Sequence, residues 1–205
     1  AAILKIDSNL TDLEGALNDI NDNFKWKVVE ELINRNLNCV FNYLKALLQQ
    51  GEEEDKITAS EYLIKLQDVS ALEYYVNWIK KQNKFDRKIY DSSPLSVLTT
   101  ENAIPYLIEL LELTYQKSFK QPEDHFNRLD RLVLSAFKSI SLESEGNYQK
   151  VKQSIENFIK KYINLYENVN WLYSFLDQLE LQYFTNKSQK LTIDDVIKKL
   201  EMIRF

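Results

Sequence analysis

The chain has 205 residues, with 26 lysines and arginines against 31 aspartates and glutamates, and its net charge of -5 excludes a whole-molecule drive toward nucleic acid or an anionic membrane. Hydrophobic residues make up 44% and charged residues 28%, but glycine and proline number three each, far below the usual ~7% and ~5%. So few chain breakers, with no Asn-Gly or Asp-Gly hairpin signal, exclude a sheet-rich fold and predict an all-α one.

The opening residues, AAILKIDSNL, lack the charged start and apolar run of a signal peptide, and no apolar stretch reaches the ~18 residues of a membrane span. The expected location is cytoplasmic. The one methionine is Met202, so the chain is expected either to be processed at its start or to be a section of a longer polypeptide. From Phe24 to Gln49, apolar residues at Phe24, Val28, Leu32, Ile33, Leu37, Val40, Phe41, Leu44, Leu47 and Leu48 keep a helical period throughout. Cys39, the lone cysteine, lies on this apolar stretch. It cannot form an internal disulfide or a thiolate metal cluster, and the expected role is a buried packing thiol. Gly51 suits a helix C-cap, and the acidic run from Glu52 to Asp55 reads as a solvated loop, since a cation site wants ligands spaced around a turn.

Two segments, Thr58-Ala-Ser-Glu61 and Ser70-Ala-Leu-Glu73, have the form of capping boxes, in which a hydroxyl accepts from an orphan N–H and the glutamate reaches back. One helix is expected to stop near Gln67 and another to begin at Ser70. Lys80, Lys81, Lys84, Arg87 and Lys88 then fall within nine residues, with Phe85 among them and Tyr90 after them, a pattern able to grip phosphate with aromatic support. Basic residues at a helix C-terminus also complement its dipole, which is sufficient reason for the first three. Asp91-Ser-Ser-Pro94 reads as a loop. Helix starts follow at Thr100, Gln121, Ser144, Asn168 and Thr192, with Pro122 at a first helical position and Pro105 near enough to a start to be tolerated. Paired, these helices make units of about 45 residues, the range of HEAT or armadillo repeats.

Within that array, Phe126, Leu129, Val133, Ala136, Phe137 and Ile140 form one apolar face, and Tyr148, Val151, Ile155, Phe158, Ile159, Tyr162 and Leu165 form the next. Between Ile104 and Tyr115 apolar residues occupy more than one face, as expected of a helix sandwiched between neighbours. In the segment from Trp171 to Phe184, Leu172, Phe175, Leu176, Leu179 and Tyr183 make a core stripe. Tyr173, Asp177, Glu180, Leu181 and Phe184 fall on a different face, a mixture of aromatic and acidic groups that suits either the next helix or a protein partner. Thr192 to Phe205 reads as a C-terminal helix docked on its predecessor.

Catalytic chemistry has little to build on. His125 is the one histidine, and although Asp124 adjoins it and Ser135 follows on the same helix, ten residues put Ser135 about 15 Å away along the axis. Gly15, Gly51 and Gly146 are isolated, so neither a P-loop nor a dinucleotide fingerprint can be assembled. The adjacent pairs Glu30-Glu31 and Asp194-Asp195 point in different directions from a helix and make no acid–base pair.

The run EYLIKLQDVSALEYYVNWIK from Glu61 to Lys80, with its Leu66-Gln67-Asp68 break, resembles the helical-repeat regions that follow the NTPase domain in large bacterial NACHT-like signalling ATPases. The stretch from His125 to Asn170 is similar in style, so the resemblance touches about half of the chain. It implies a sensor or scaffold region of a longer protein and carries over no functional residue.

The expected architecture is an all-α helical repeat array, a HEAT/armadillo-like superhelix of about eight helices, as one domain over 1–205 with room for a subdivision near 91–99. The expected function is a non-catalytic binding or scaffolding module that recognises a protein partner or another domain of a larger protein through Tyr173, Asp177, Glu180 and Phe184. A nucleic-acid-binding domain using Lys80, Lys81, Lys84, Arg87 and Lys88 is the alternative, and an enzyme whose site is not written as a motif comes third. No cofactor, metal or membrane partner is expected.

Overall fold

The computed structural model describes residues 17, 22–35, 38–81, 93–118 and 126–189. Among the described residues there are eight α-helices and no strand, so the chain is all-α. They are α1 (Asp22–Asn34), α2 (Asn38–Gln50), α3 (Glu53–Lys65), α4 (Ser70–Lys81), α5 (Ile104–Ser118), α6 (Phe126–Glu143), α7 (Glu145–Tyr162) and α8 (Trp171–Gln189). Short 3-10 helices occupy Pro94–Val97, Glu101–Ala103 and Glu167–Asn170. The expectations for His125 with Asp124, for Lys84, Arg87, Lys88 and the loop residues Asp91 and Ser92, for the helix start at Gln121 and for Thr192 to Phe205 lie outside the described residues, as does the Cys39 side chain.

The chain forms two compact units, Ala1–Leu63 and Ile64–Phe205. In the first, Val28, Val29, Leu32, Val40, Leu44, Ala59 and Leu63 are buried. Lys25, itself nearly buried, reaches the Asp55 carboxylate at 2.7 Å, and Tyr62 both stacks on Trp26 at 5.6 Å and donates to Glu30 at 2.8 Å. The periodicity from Phe24 to Gln49 is divided between two helices, α1 ending at Asn34 and α2 starting at Asn38, with the apolar period resuming in α2.

Two local expectations are corrected here. The acidic run is a helix start rather than a loop: Glu53, Glu54 and Asp55 form the first turn of α3, where negative charge faces the positive end of the dipole. Thr58 is therefore interior, and its hydroxyl donates back to the Glu54 carbonyl at 3.0 Å instead of capping an N-terminus.

In the second unit the break between α3 and α4 falls where expected. Gln67 takes a left-handed φ of 66°, and Asp68 accepts from both the backbone N–H and the hydroxyl of Ser70. Asp68, rather than Ser70, caps α4. Thr100 precedes the Glu101–Ala103 turn that runs into α5, with Pro105 harmless in its first turn. Ser144 caps α7 by accepting from the Asn147 N–H at 3.1 Å.

Helix α6 meets α5, α7, α8 and the Pro94–Val97 turn. Its face of Leu129, Val133, Ala136, Phe137 and Ile140 is fully buried, as the spacing predicts. Helices two apart in sequence also touch, α5 with α7 and α6 with α8. On α7 the predicted face is buried from Tyr148 to Tyr162, but Leu165 is 64% exposed, because the helix has ended and the chain turns at Ile163 to Leu165 before it could face inward.

Candidate functional site

Helix α8 divides its surface cleanly. Leu172, Leu176, Leu179 and Tyr183 recur at three- and four-residue steps and are buried, with Phe175 half-buried beside them. The predicted second face is exposed: Tyr173 at 47%, Phe184 at 52% and Leu181 at 72%, with Asp177 and Glu180 also open to water. Tyr173, Asp177, Glu180 and Phe184 stand at i, i+4, i+7 and i+11, so they form one line along the helix with the carboxylates between the aromatic rings.

The structure adds a second helix to this line, which spacing within α8 alone could not supply. Helix α7 runs antiparallel beside α8. Glu145 pairs with Lys187 at 2.9 Å, and Lys152 pairs with Glu180 at 3.1 Å. Between these ion pairs the Tyr148 ring stacks on Tyr183 with centroids 4.5 Å apart and planes inclined by 9°, and Phe184 meets both rings edge-on. Lys152 and Lys187 also lie within 6 Å of the Tyr148 and Tyr183 rings, so each lysine serves a carboxylate and an aromatic face together. Hydrogen bonding to Glu180 raises the Lys152 ammonium above the ordinary lysine range, and Glu145 does the same for Lys187. Burial raises the Tyr148 hydroxyl. Glu180 is thus a paired carboxylate, whereas Asp177 has no ion-pair partner among the described residues.

At one end of the line, a cleft of about 310 Å³ opens between the α6–α7 corner and α8, with Glu143, Ser144, Glu145, Tyr183, Asn186 and Lys187 in its walls. At the other end, Ile163, Leu165 and Trp171 are exposed around the α7–α8 turn. Beneath that turn Tyr115, Phe158, Tyr162 and Tyr166 form a chain of ring contacts 4.7 to 5.8 Å apart. Burial raises the Tyr115 hydroxyl, with the charge of Asp130 on α6 adding a smaller push, and burial drives the Asp130 carboxyl itself up to about 6, against the opposing Arg131 N–H and charge.

Of the five basic residues in the nucleic-acid alternative, Lys80 is already paired with Glu109 of α5, Lys81 is exposed at the end of α4, and the other three lie outside the described residues. Ser135 is exposed on α6. Among the described residues no group of three or more His, Cys, Asp and Glu side chains could hold a metal ion, and no helix is long and apolar enough to cross a membrane. No family model and no curated protein matches this chain, and no solved structure matches its fold.

Proposed function

We propose that the protein is a non-catalytic helical binding module whose α8 line, Tyr173, Asp177, Glu180 and Phe184, recognises a protein partner or another domain of a larger protein. The observation that carries this reading is the exposure of two aromatic rings and Leu181 on a helix whose opposite face already supplies its share of the core. Aromatic groups that are exposed when free and able to be buried in a complex supply most of the energy of protein interfaces, and the carboxylates between them favour orientation and encounter rate. The contacts between helices two apart in sequence support a repeat-like stacking of helix pairs, the arrangement in which such modules build extended surfaces. The resemblance of Glu61 to Lys80 to the repeat regions of NACHT-like ATPases points the same way, toward a sensor or scaffold role. Nucleic-acid binding through the basic cluster is the weaker alternative, since Lys80 is engaged with Glu109.

The test is the double substitution Tyr173→Ser with Phe184→Ser. Helicity and melting should stay nearly unchanged, while affinity for a protein that binds the unsubstituted chain falls by about tenfold or more. Unfolding of the chain by this pair of changes would mean that the face belongs to the core and would remove the proposal.

A further inference from the structure

We propose that the groove between α7 and α8 takes an amphipathic helix of a partner protein with lysine or arginine beside its apolar stripe, rather than a second copy of this chain. The inference rests on the binding reading above and deepens it by naming the partner's chemistry. The successive contacts of Glu145 with Lys187, Tyr148 with Phe184 and Lys152 with Glu180 fix an antiparallel register up α7 and down α8. Carried one turn further, that register brings Glu156 to the level of Asp177, and another turn brings Lys160 to the level of Tyr173.

The floor is aromatic, with Phe184 on the stacked Tyr148 and Tyr183. Charge decides what can lie on it. Lys152 and Lys187 are already committed to Glu180 and Glu145, whereas Asp177 and Glu156 have no ion-pair partner among the described residues. Lys160 is also unpaired among them, but it stands at the end of the groove. The uncompensated negative charge therefore sits mid-groove, between the two aromatic anchors. A second copy laid on α8 about a two-fold axis between Asp177 and Glu180 would bring no unpaired cation to Asp177 and Glu156, since its Lys152 and Lys187 are engaged with Glu180 and Glu145. A helix with cationic residues flanking its apolar stripe meets the same carboxylates with the opposite sign and covers Tyr173 and Phe184.

Two labelled helical peptides of roughly 18 residues, sharing one leucine stripe but flanked by lysine in one and glutamate in the other, serve as probes for titration with the full chain. The lysine peptide should bind about tenfold tighter or better. Asp177→Asn with Glu156→Gln should remove most of that preference, whereas Glu53→Gln with Glu54→Gln, an equal change in net charge on α3, should leave it. Equal binding of both peptides, weakened by Tyr173→Ser with Phe184→Ser, overturns the charge inference and keeps the binding reading. Binding of neither peptide, or binding insensitive to those two aromatic changes, overturns both. Self-association in sedimentation that Phe184→Ser abolishes assigns the groove to a second copy and also overturns the inference.

Discussion

Gln67 takes a left-handed backbone, φ 66°, at the turn between α3 and α4, a conformation that costs a residue with a Cβ of the order of 1 kcal/mol. Its side chain offsets the strain: Nε2 donates to the Val97 carbonyl at 2.6 Å, and Oε1 accepts from the Thr99 N–H at 2.9 Å and from the Thr99 hydroxyl at 3.2 Å. Gln67→Gly would relax the backbone yet lose all three bonds, so it should still destabilise by about 1 kcal/mol, and Gln67→Ala, which keeps the strain, by more. Urea melts that rank glycine below alanine would show that the strain is absent. Gly51 is needed for another reason. Its φ is not positive, but a Cβ there would lie 2.6 Å from the Leu47 carbonyl oxygen, which is backbone and cannot swing aside. Gly51→Ala should cost about 1 to 3 kcal/mol, readable as a lower urea midpoint at an unchanged slope. Asp130 sets a pH dependence. Burial raises its carboxyl to about 6 in the folded chain, so folding favours the protonated form. Its contribution to stability is complete below the unfolded value near 4 and is lost as pH rises through about 6. After allowance for its partial exposure, Asp130→Asn should gain about 1 kcal/mol at pH 7 and flatten the stability profile between about pH 4 and 6. An unchanged profile would remove Asp130 as its source.

Among the elements, the two serine and threonine capping signals separate instructively. Ser144 accepts from the Asn147 N–H at the start of α7, so Ser144→Ala should cost about 1 kcal/mol. Thr58 lies in the middle of α3, where alanine is the better helix former, so Thr58→Ala should be neutral or slightly stabilising by thermal melt. A cost at Thr58 equal to that at Ser144 would mean that α3 starts at the predicted box after all. Each offers a hydroxyl at an expected helix start, Thr58 even within a full capping box; what differs is whether helix already exists upstream, and the Glu53-Glu54-Asp55 turn that supplies it before Thr58 reads locally as a solvated acidic run. Legibility follows the same logic elsewhere. The stripes of α6 and α8 were readable because a long helix with one buried face imposes its period on many residues, and the α8 line followed by elimination. Leu165 was misread because periodicity carries no mark of where a helix turns away. Glu145, Tyr148 and Lys152, which share the α8 groove, could not be tied to it from sequence, since pairing across helices leaves no local spacing.

For the whole molecule, composition alone made the all-α class readable, because scarce glycine and proline act on every segment at once. The division into Ala1–Leu63 and Ile64–Phe205 was not readable, since it falls within the residues of α3 and depends on contacts distant in sequence. The second unit also carries more lysine–glutamate pairs between elements than any helical spacing announces: Lys80–Glu109, Lys150–Glu101, Lys152–Glu180, Lys161–Glu112 and Lys187–Glu145. In each pair at least one side chain is substantially exposed, so each is worth about 0 to 1 kcal/mol and is screened by salt. The apolar interior works on another scale, since truncating a fully buried ring such as Phe137 costs about 3 to 5 kcal/mol. Raising salt from about 0.05 to about 0.5 M should therefore move the melting temperature by only a few degrees. Phe137→Ala should lower it by roughly 6 to 20 °C at either salt concentration. A salt effect as large as that of Phe137→Ala would mean that the lysine–glutamate pairs, rather than the buried faces of α6, α7 and α8, hold these helices together.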